Sequence, residues 1–269
     1  MSPNTGTPDP LELLDVARQA AAAGAAVLAK RSEDGLNAVN KGASGDWVTN
    51  YDTEAEYAVR EVINKLRPFD EITGEELEAS VPAEPSGIRW SVDPLDGTTN
   101  FIRNIPFYAT SVAAVNNDGE WLAGVVHAPA LVRVYWAVRG HGAWLAERGS
   151  VRQLSGPDPE RTGKLLGTGF SYEPGVRTEQ YGALADLMEG FADLRRLGSA
   201  ALDLCMVADG TLDAYVERGL NEHDFAAGAL IAEEAGATVH RPGTPARRMD
   251  DAERLAAVTT AWLAPPSGF

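Results

Sequence analysis

Asp93-Pro94-Leu95-Asp96-Gly97-Thr98-Thr99 is the most informative stretch of the chain. It sets two carboxylates three residues apart with the Leu95 carbonyl between them, an all-oxygen donor set of the kind Mg²⁺ prefers. Pro94 stiffens the turn and Gly97 lets the backbone come close to a ligand. The N–H groups of Gly97, Thr98 and Thr99 stand where a helix can open, and a helix start can hold phosphate oxygens. By itself the run also reads as a plain turn. A calcium loop would want Glu at its twelfth position, and counting from Asp93 that residue is Asn104. An enzyme that forms a phosphoaspartate would want its two Asp residues two apart, so the three-residue spacing speaks against an aspartyl nucleophile.

Strand-like segments feed this stretch. Ile88–Val92 ends at Asp93, and Ile72–Gly74 ends at Glu75-Glu76, so two strand ends deliver carboxylates to one edge. Further upstream, residues 1–8 read as a disordered tail. Asp9 and Pro10 then open a helix that runs to about Lys30. The Gly/Ser/Asn-rich residues 34–46 read as a mobile loop, and a second helix is expected from Thr53 to about Leu66. Downstream, Phe107–Asn116, Gly124–Ala128, Val132–Val138 and Ala143–Leu145 are strand-like, with a hairpin turn at Asn117-Asp118-Gly119. After about residue 150 strands and helices alternate. Lys164–Gly167 is strand-like, and helices are expected at Glu179–Gly190, Ala200–Asp209 and Asp224–Ala235, the last stopping at Gly236. Ala214–Glu217, Thr238–His240 and Ala256–Thr260 complete the strands. This predicts mixed α and β content in one compact unit, with residues 9–150 as an N-terminal lobe and 151–269 as a C-terminal one.

Composition narrows the partners. The 269 residues are 44% apolar, enough for a sizeable core. A formal net charge of -16 argues against nucleic acid and against an anionic membrane surface. An acidic chain still binds phosphate where metal cations invert the local sign. The lone cysteine, Cys205, excludes an internal disulfide and sits in the apolar run Leu202–Val207, where a buried inert thiol is expected. The first residues lack the basic start and apolar core of a signal peptide, and the run Ala20–Ala29 is half a membrane span, so a cytoplasmic protein is expected.

The remaining candidates are ambiguous one by one. Glu75-Glu76 is a solvated acidic loop or a metal-bridging pair. Asp52 and Asp224 each precede a helical pattern and read as N-caps as readily as site residues. Glu217 ends a strand and is either exposed or functional. His127, His141, His223 and His240 show no zinc-site spacing and read as structural or surface residues.

Joint occurrence in one order sharpens the reading. Asp46-Trp47-Val48-Thr49-Asn50-Tyr51-Asp52, Gly74-Glu75-Glu76, Asp93 to Phe101, Gly198-Ser199-Ala200-Ala201 with Asp213 to Glu217, and Asp224 to Gly228 with Glu234-Ala235-Gly236 together resemble the inositol monophosphatase family, within the lithium-sensitive, metal-dependent sugar-phosphate phosphatases. The resemblance spans roughly Leu11 to Val258. Three positions depart from it: His223 stands where the family usually has Trp, Gly236-Ala237 replaces a paired glycine, and Leu95 replaces a common Ile, which leaves the carbonyl ligand unchanged.

The resemblance implies an α+β fold, a layered α-β-α-β-α sandwich, and a homodimer. It implies that Glu75, Asp93 and the Leu95 carbonyl bind one Mg²⁺ and that Asp93, Asp96 and Asp224 bind a second, with Glu75 and Glu76 reaching a third through water. It makes Thr98, with Asp52 as its proton acceptor, the activator of the attacking water, and adds Glu75 to the catalytic set. Gly97 and Thr98 would hold phosphate oxygens, with Glu75, Leu95, Asp96 and Asp224 also in the substrate-binding set, while Gly198, Ser199, Ala200 and Glu217 would bind the sugar or polyol. The implied activity is Mg²⁺-dependent, lithium-sensitive hydrolysis of inositol 1-phosphate. Fructose 1,6-bisphosphate, histidinol phosphate and 3′-phosphoadenosine phosphates are alternative substrates, and a regulatory or scaffold role with little turnover is a third reading.

Overall fold

The computed structural model describes residues 8–32, 36–42, 46–241 and 254–258. Helix α1 (Pro10–Leu28) is capped by Asp9, whose side chain accepts from Leu11 N, and carries proline in its first turn. Two short strands follow, β1 (Ala38–Asn40) and β2 (Trp47–Thr49), paired antiparallel. Strand β1 therefore lies within the segment read as a loop, and β2 follows directly after it; three-residue strands are too short to show an alternating pattern. Residues 33–35 and 43–45, in the same stretch, lie outside the described residues, as do residues 1–7 of the expected tail.

Helix α2 (Asn50–Leu66) starts three residues earlier than its sequence suggests. Thr49 is its N-cap, and Asp52 completes the capping box from inside the first turn instead of preceding the helix. Next come β3 (Glu71–Gly74), β4 (Ile88–Asp96), the five-residue α3 (Thr98–Ile102), β5 (Ala109–Asn116), β6 (Trp121–Ala128), β7 (Arg133–Val138), β8 (Ala143–Glu147) and β9 (Ser150–Gln153). These seven strands pair in chain order as one sheet, parallel between β3 and β4 and antiparallel elsewhere.

The second sheet belongs to the C-terminal part. It uses β10 (Leu165–Thr168), β11 (Asp193–Arg195), β12 (Ala214–Arg218), β13 (Thr238–His240) and β14 (Arg254–Val258), in the order β11-β10-β12-β14-β13. The expected closing strand at Ala256–Thr260 is thus described as far as Val258. The helix expected at Glu179–Gly190 is two pieces, α4 (Pro174–Gly182) and α5 (Leu184–Leu187), because Gly182 ends the first. Helices α6 (Ala200–Ala208) and α7 (Glu222–Glu234) complete the chain.

Burial sorts these elements into five layers. Trp90, Val92, Val112 and Ala114 face α1 and α2, packing on Leu13, Ala17, Val59 and Ile63. Their strand neighbours Ala113 and Val115 face the other way, onto α6 and α7 through Leu204, Ala227 and Ile231. Tyr215, on the far side of those helices, belongs to the same core. Ala214 and Val216 point outward to Leu187 and Leu184 of α5. The order is helix pair, sheet, helix pair, sheet, helix pair, the α+β sandwich that the resemblance implies. Among the described residues no helix is long and apolar enough to cross a membrane.

Two close approaches fix the middle helices. A Cβ at Gly124 would lie 2.9 Å from Ala227 Cα, and one at Gly228 would lie 2.9 Å from the Ala201 carbonyl oxygen. Glycine at both points lets α7 press on β6 and on α6. This brings the starts of α6 and α7 to the end of β4, where the acidic stretch lies.

Candidate functional site

Strand β4 pairs regularly with β5 up to Asp93 opposite Ser111, then slips, so that Asp96 faces Ala109. Three residues on β4 match two on β5, a bulge that re-aims side chains at a sheet rim. Pro94 and Leu95 occupy it. The Pro94 carbonyl accepts from Thr110 Oγ1 at 2.9 Å, and the Leu95 side chain is buried beside Phe101 and Tyr108. Asp93 Oδ1 accepts from Leu95 N at 3.0 Å. Gly97 then takes φ +98°, and a Cβ there would sit 2.9 Å from the Phe107 carbonyl oxygen, so the turn into α3 requires glycine. Asn100 ties the bulge to the segment before α6, donating to the Phe107 and Leu197 carbonyls at 2.8 Å each.

Asp96 is gripped by that segment. Its Oδ2 accepts from Ser199 Oγ and Ala201 N at 2.7 Å each, and its Oδ1 from Ala200 N at 3.2 Å. The carboxylate therefore sits on the N-terminus of α6, where the helix dipole favours negative charge. Asp224 comes from the first turn of α7 and forms a capping box with Asn221, accepting Asn221 N at 2.5 Å. It is inside the helix, two residues later than its start, rather than ahead of it.

These side chains line one cavity of about 610 Å³, together with Glu75, Leu95, Gly97, Thr98, Gly198, Ser199, Ala200 and Glu217. Of the metal- and substrate-binding candidates named from the sequence, all but Glu76 are thus brought to one place, and Glu76 shares Lys41 Nζ with Glu75 at its edge. Asp52 lies behind the wall, fully buried. Thr98 Oγ1 lies 3.0 Å from Asp52 Oδ1 and 3.1 Å from the Leu95 carbonyl oxygen, within donating distance of both.

Burial and like charge dominate the electrostatics. Burial first, then repulsion from Glu75, Asp96 and Asp224, pushes Asp93 well above the usual carboxylate range. Burial lifts Asp96 to about 8 against the hydrogen bond from Ser199, and Asp224 adds repulsion. Asp224 is raised by burial, partly opposed by His223. Burial lifts Asp52 to about 6 against the bonds from Thr49. Burial and Glu75 bring Glu76 to about 7. Burial works against the charge on Lys41, but Glu75 and Glu76 outweigh it and raise its pKa.

The donor set fits a hard divalent cation. It is made of carboxylate and carbonyl oxygens, and the mutual repulsion of Asp93, Asp96 and Asp224 is what a cation among them would relieve. Among the described residues no three His, Cys, Asp or Glu side chains already form a closed ligand group. Glu75 and Asp96 are turned to protein donors instead. Lys41 Nζ bridges Glu75 Oε1 at 2.8 Å and Glu76 Oε1 at 2.6 Å, marking a place where positive charge is favourable.

Several lining residues have no counterpart in the sequence reading. Lys41 follows β1, Thr168 ends β10 with Gly169 directly after it, Arg196 precedes the glycine turn before α6, and Asp203 lies within α6. A side chain at Gly169 would collide with the Glu217 carboxyl, which also accepts from Tyr215 OH. His223, grouped with the other histidines as structural or surface but also singled out as the departure from the family pattern just ahead of Asp224, lines the cavity with Nε2 3.3 Å from Asp224 Oδ1.

Comparison with known proteins agrees with this geometry. Residues 9–264 match the family described as "Inositol monophosphatase family". An inositol-1-monophosphatase SuhB of Mycobacterium tuberculosis strain ATCC 25618 / H37Rv is 46% identical over 246 residues, 86% of this chain and 84% of that protein. A protein named Nus factor SuhB from Haemophilus influenzae is 41% identical over 231 residues, 84% of each. The crystal structure of the extragenic suppressor protein suhB from Bartonella henselae superposes with TM-score 0.83 at 32% identity, covering 93% of this chain and 94% of that one.

Proposed function

The chain belongs to the inositol monophosphatase family, and from that premise we propose that it is a Mg²⁺-dependent, lithium-sensitive phosphoric monoester hydrolase acting on inositol 1-phosphate. The observation that carries the reading is the convergence of Glu75, Asp93, Asp96 and Asp224 on one cavity, with the Thr98–Asp52 bond beside them.

Glu75, Asp93, the Leu95 carbonyl, Asp96 and Asp224 would hold two Mg²⁺ ions, with Glu75 and Glu76 serving a third. Bound there, magnesium would supply Lewis acidity that offsets phosphate charge and makes water a stronger nucleophile. The protein's own groups do the rest. The N–H groups of Gly97 and Thr98, at the start of α3, hold phosphate oxygens. Thr98 Oγ1 orients the attacking water and passes a proton to Asp52, whose position is fixed by Thr49 N at 2.8 Å and Thr49 Oγ1 at 2.5 Å. Glu217, packed against Gly169 and facing the cavity, accepts hydrogen bonds from the polyol hydroxyls, with Gly198, Ser199 and Ala200 lining that side. No covalent phosphoenzyme is needed.

The same reading extends to a two-lobed chain, residues 9–150 and 151–269, supported by the change of sheet between Gln153 and Leu165, and to a cytoplasmic homodimer. A second reading, regulatory work with little turnover, draws support from the relative named Nus factor SuhB. The deciding experiment is a substrate panel under Mg²⁺ and under chelator. Inositol 1-phosphate should be preferred over fructose 1,6-bisphosphate, histidinol phosphate and 3′-phosphoadenosine phosphate, with activity lost in chelator. Preference for an aromatic or nucleotide phosphate would sink the substrate, and the absence of all turnover would favour the regulatory reading.

A further inference from the structure

Asp203 lies on α6, one helical turn beyond Ser199 and Ala200, and shares with them the face that lines the cavity. It interrupts an otherwise apolar helix of Ala, Leu, Cys, Met and Val. The residue is 1% exposed, and among the described residues its Oδ1 has no hydrogen-bond partner. An unpaired buried carboxylate oxygen is destabilising, and an apolar side chain would fill the place without that cost.

Its surroundings point to a ligand with hydroxyl donors. Glu217 faces Asp203, and Arg196 faces both. Two carboxylates around one guanidinium leave excess negative charge, to which Asp96 adds; burial, Glu217 and Asp96 together hold Asp203 well above the usual carboxylate range. A second divalent cation here would meet the Arg196 charge, and a second phosphate would meet two carboxylates. Neutral hydroxyls donate to both acceptors without adding charge.

We propose that Asp203 is a specificity residue of the alcohol end, accepting a hydroxyl of the substrate alongside Glu217, so that the cavity selects phosphate esters of polyols carrying at least two free hydroxyls. The proposal rests on the phosphatase reading above. It adds a second acceptor to Glu217 and gives a reason for the unpaired oxygen: a group that costs stability in the free protein is satisfied by the substrate.

The test compares Asp203→Asn and Asp203→Ala with the parent protein, using inositol 1-phosphate and phenyl phosphate as substrates under Mg²⁺. The ratio of kcat/KM for the polyol ester over the phenyl ester should fall about 10- to 100-fold, the effect of leaving one buried substrate hydroxyl without its partner. The melting temperature of Asp203→Ala should rise by about 2–4 °C, since the unpaired buried carboxyl oxygen is removed. A ratio within twofold of the parent in either folded variant overturns the proposal, as does failure of both variants to fold, which would make Asp203 structural. If the parent protein hydrolyses neither ester, the phosphatase reading fails separately. Calorimetric binding of free myo-inositol then decides: loss of binding in Asp203→Asn supports the acceptor, and unchanged or undetectable binding overturns it.

Discussion

At the phosphate end of the cavity, Asp93, Asp224 and Asp52 each accept a backbone N–H from within three residues of themselves, from Leu95, Asn221 and Thr49 respectively. At the alcohol end Glu217 is held by a tyrosine hydroxyl, and among the described residues nothing holds Asp203 Oδ1. The first arrangement fixes each carboxylate by the local conformation that carries it, so it comes with the turn or cap. The second leaves acceptors to be completed by what binds. A site that keeps its chemistry rigid and its recognition adaptable is one on which substrate preference changes without loss of mechanism.

That contrast breaks most visibly at Asp93. Asp93→Asn should lower kcat by at least about 10²–10³-fold on every phosphate ester tested, with the fold intact by circular dichroism. A loss confined to polyol esters would erase the distinction between the ends. Asp52→Asn comes next, at roughly 10²-fold, because a positioned proton acceptor is removed. The pH profile sharpens this. Asp52 accepts the Thr98 proton only when ionised, and burial lifts its pKa to about 6. Activity of the parent protein should therefore rise with pH through about 6 and level off above it. Asp52→Asn should lose that acid limb while keeping a low residual rate.

The same contrast decides what was legible in the sequence. Asp93 to Thr99 could be read because a bulge and a glycine turn gather the donors within seven residues. Asp224 and Asp52 were found, but as caps ahead of helices; both lie inside the first turn, where a capping box and a site role coincide. The layered fold came from family resemblance, since strand and helix patterns alone gave only mixed α and β. Lys41, Gly169, Arg196 and Asp203 were missed. Their cavity walls join the β10 end, α6 with the turn before it, and the β1 end, segments brought together by tertiary packing with no shared spacing. Asp203 had one readable sign: a lone carboxylate inside the apolar run Ala200–Ala208, one turn from Ser199.

Glu217→Gln tests the adaptable end. The ratio of kcat/KM for inositol 1-phosphate over phenyl phosphate should fall about tenfold, with kcat on phenyl phosphate changing less. Because Glu217 and Asp203 share Arg196 and would share the substrate, their combined variant should lose less than the product of the single losses. Strict additivity would place them on independent subsites.

The smallest expected effect concerns how the rigid end is braced. Arg89 Nη2 pairs with Glu222 Oε2 at 2.7 Å, and Arg89 Nη1 donates to Thr73 Oγ1 at 3.1 Å. Thr73 stands two residues before Glu75 on one arm of the site, and Glu222 two before Asp224 on the other. One guanidinium therefore spans both arms without touching the cavity, which is the geometry of a strut that sets their separation. Arg89→Met should raise the Mg²⁺ half-saturation, read by calorimetric binding as well as by rate, by up to about tenfold, as other supports of metal ligands do. It should leave the ratio between polyol and phenyl esters unchanged, since that ratio belongs to the other end. Breaking the pair also strands Glu222 partly buried, so some loss of melting temperature is expected. Glu222→Gln combined with Arg89→Met removes that stranded charge and should recover the melting temperature but not the Mg²⁺ affinity. If both recover together, Arg89 serves stability alone and the two arms are held apart by their own sheets and helices.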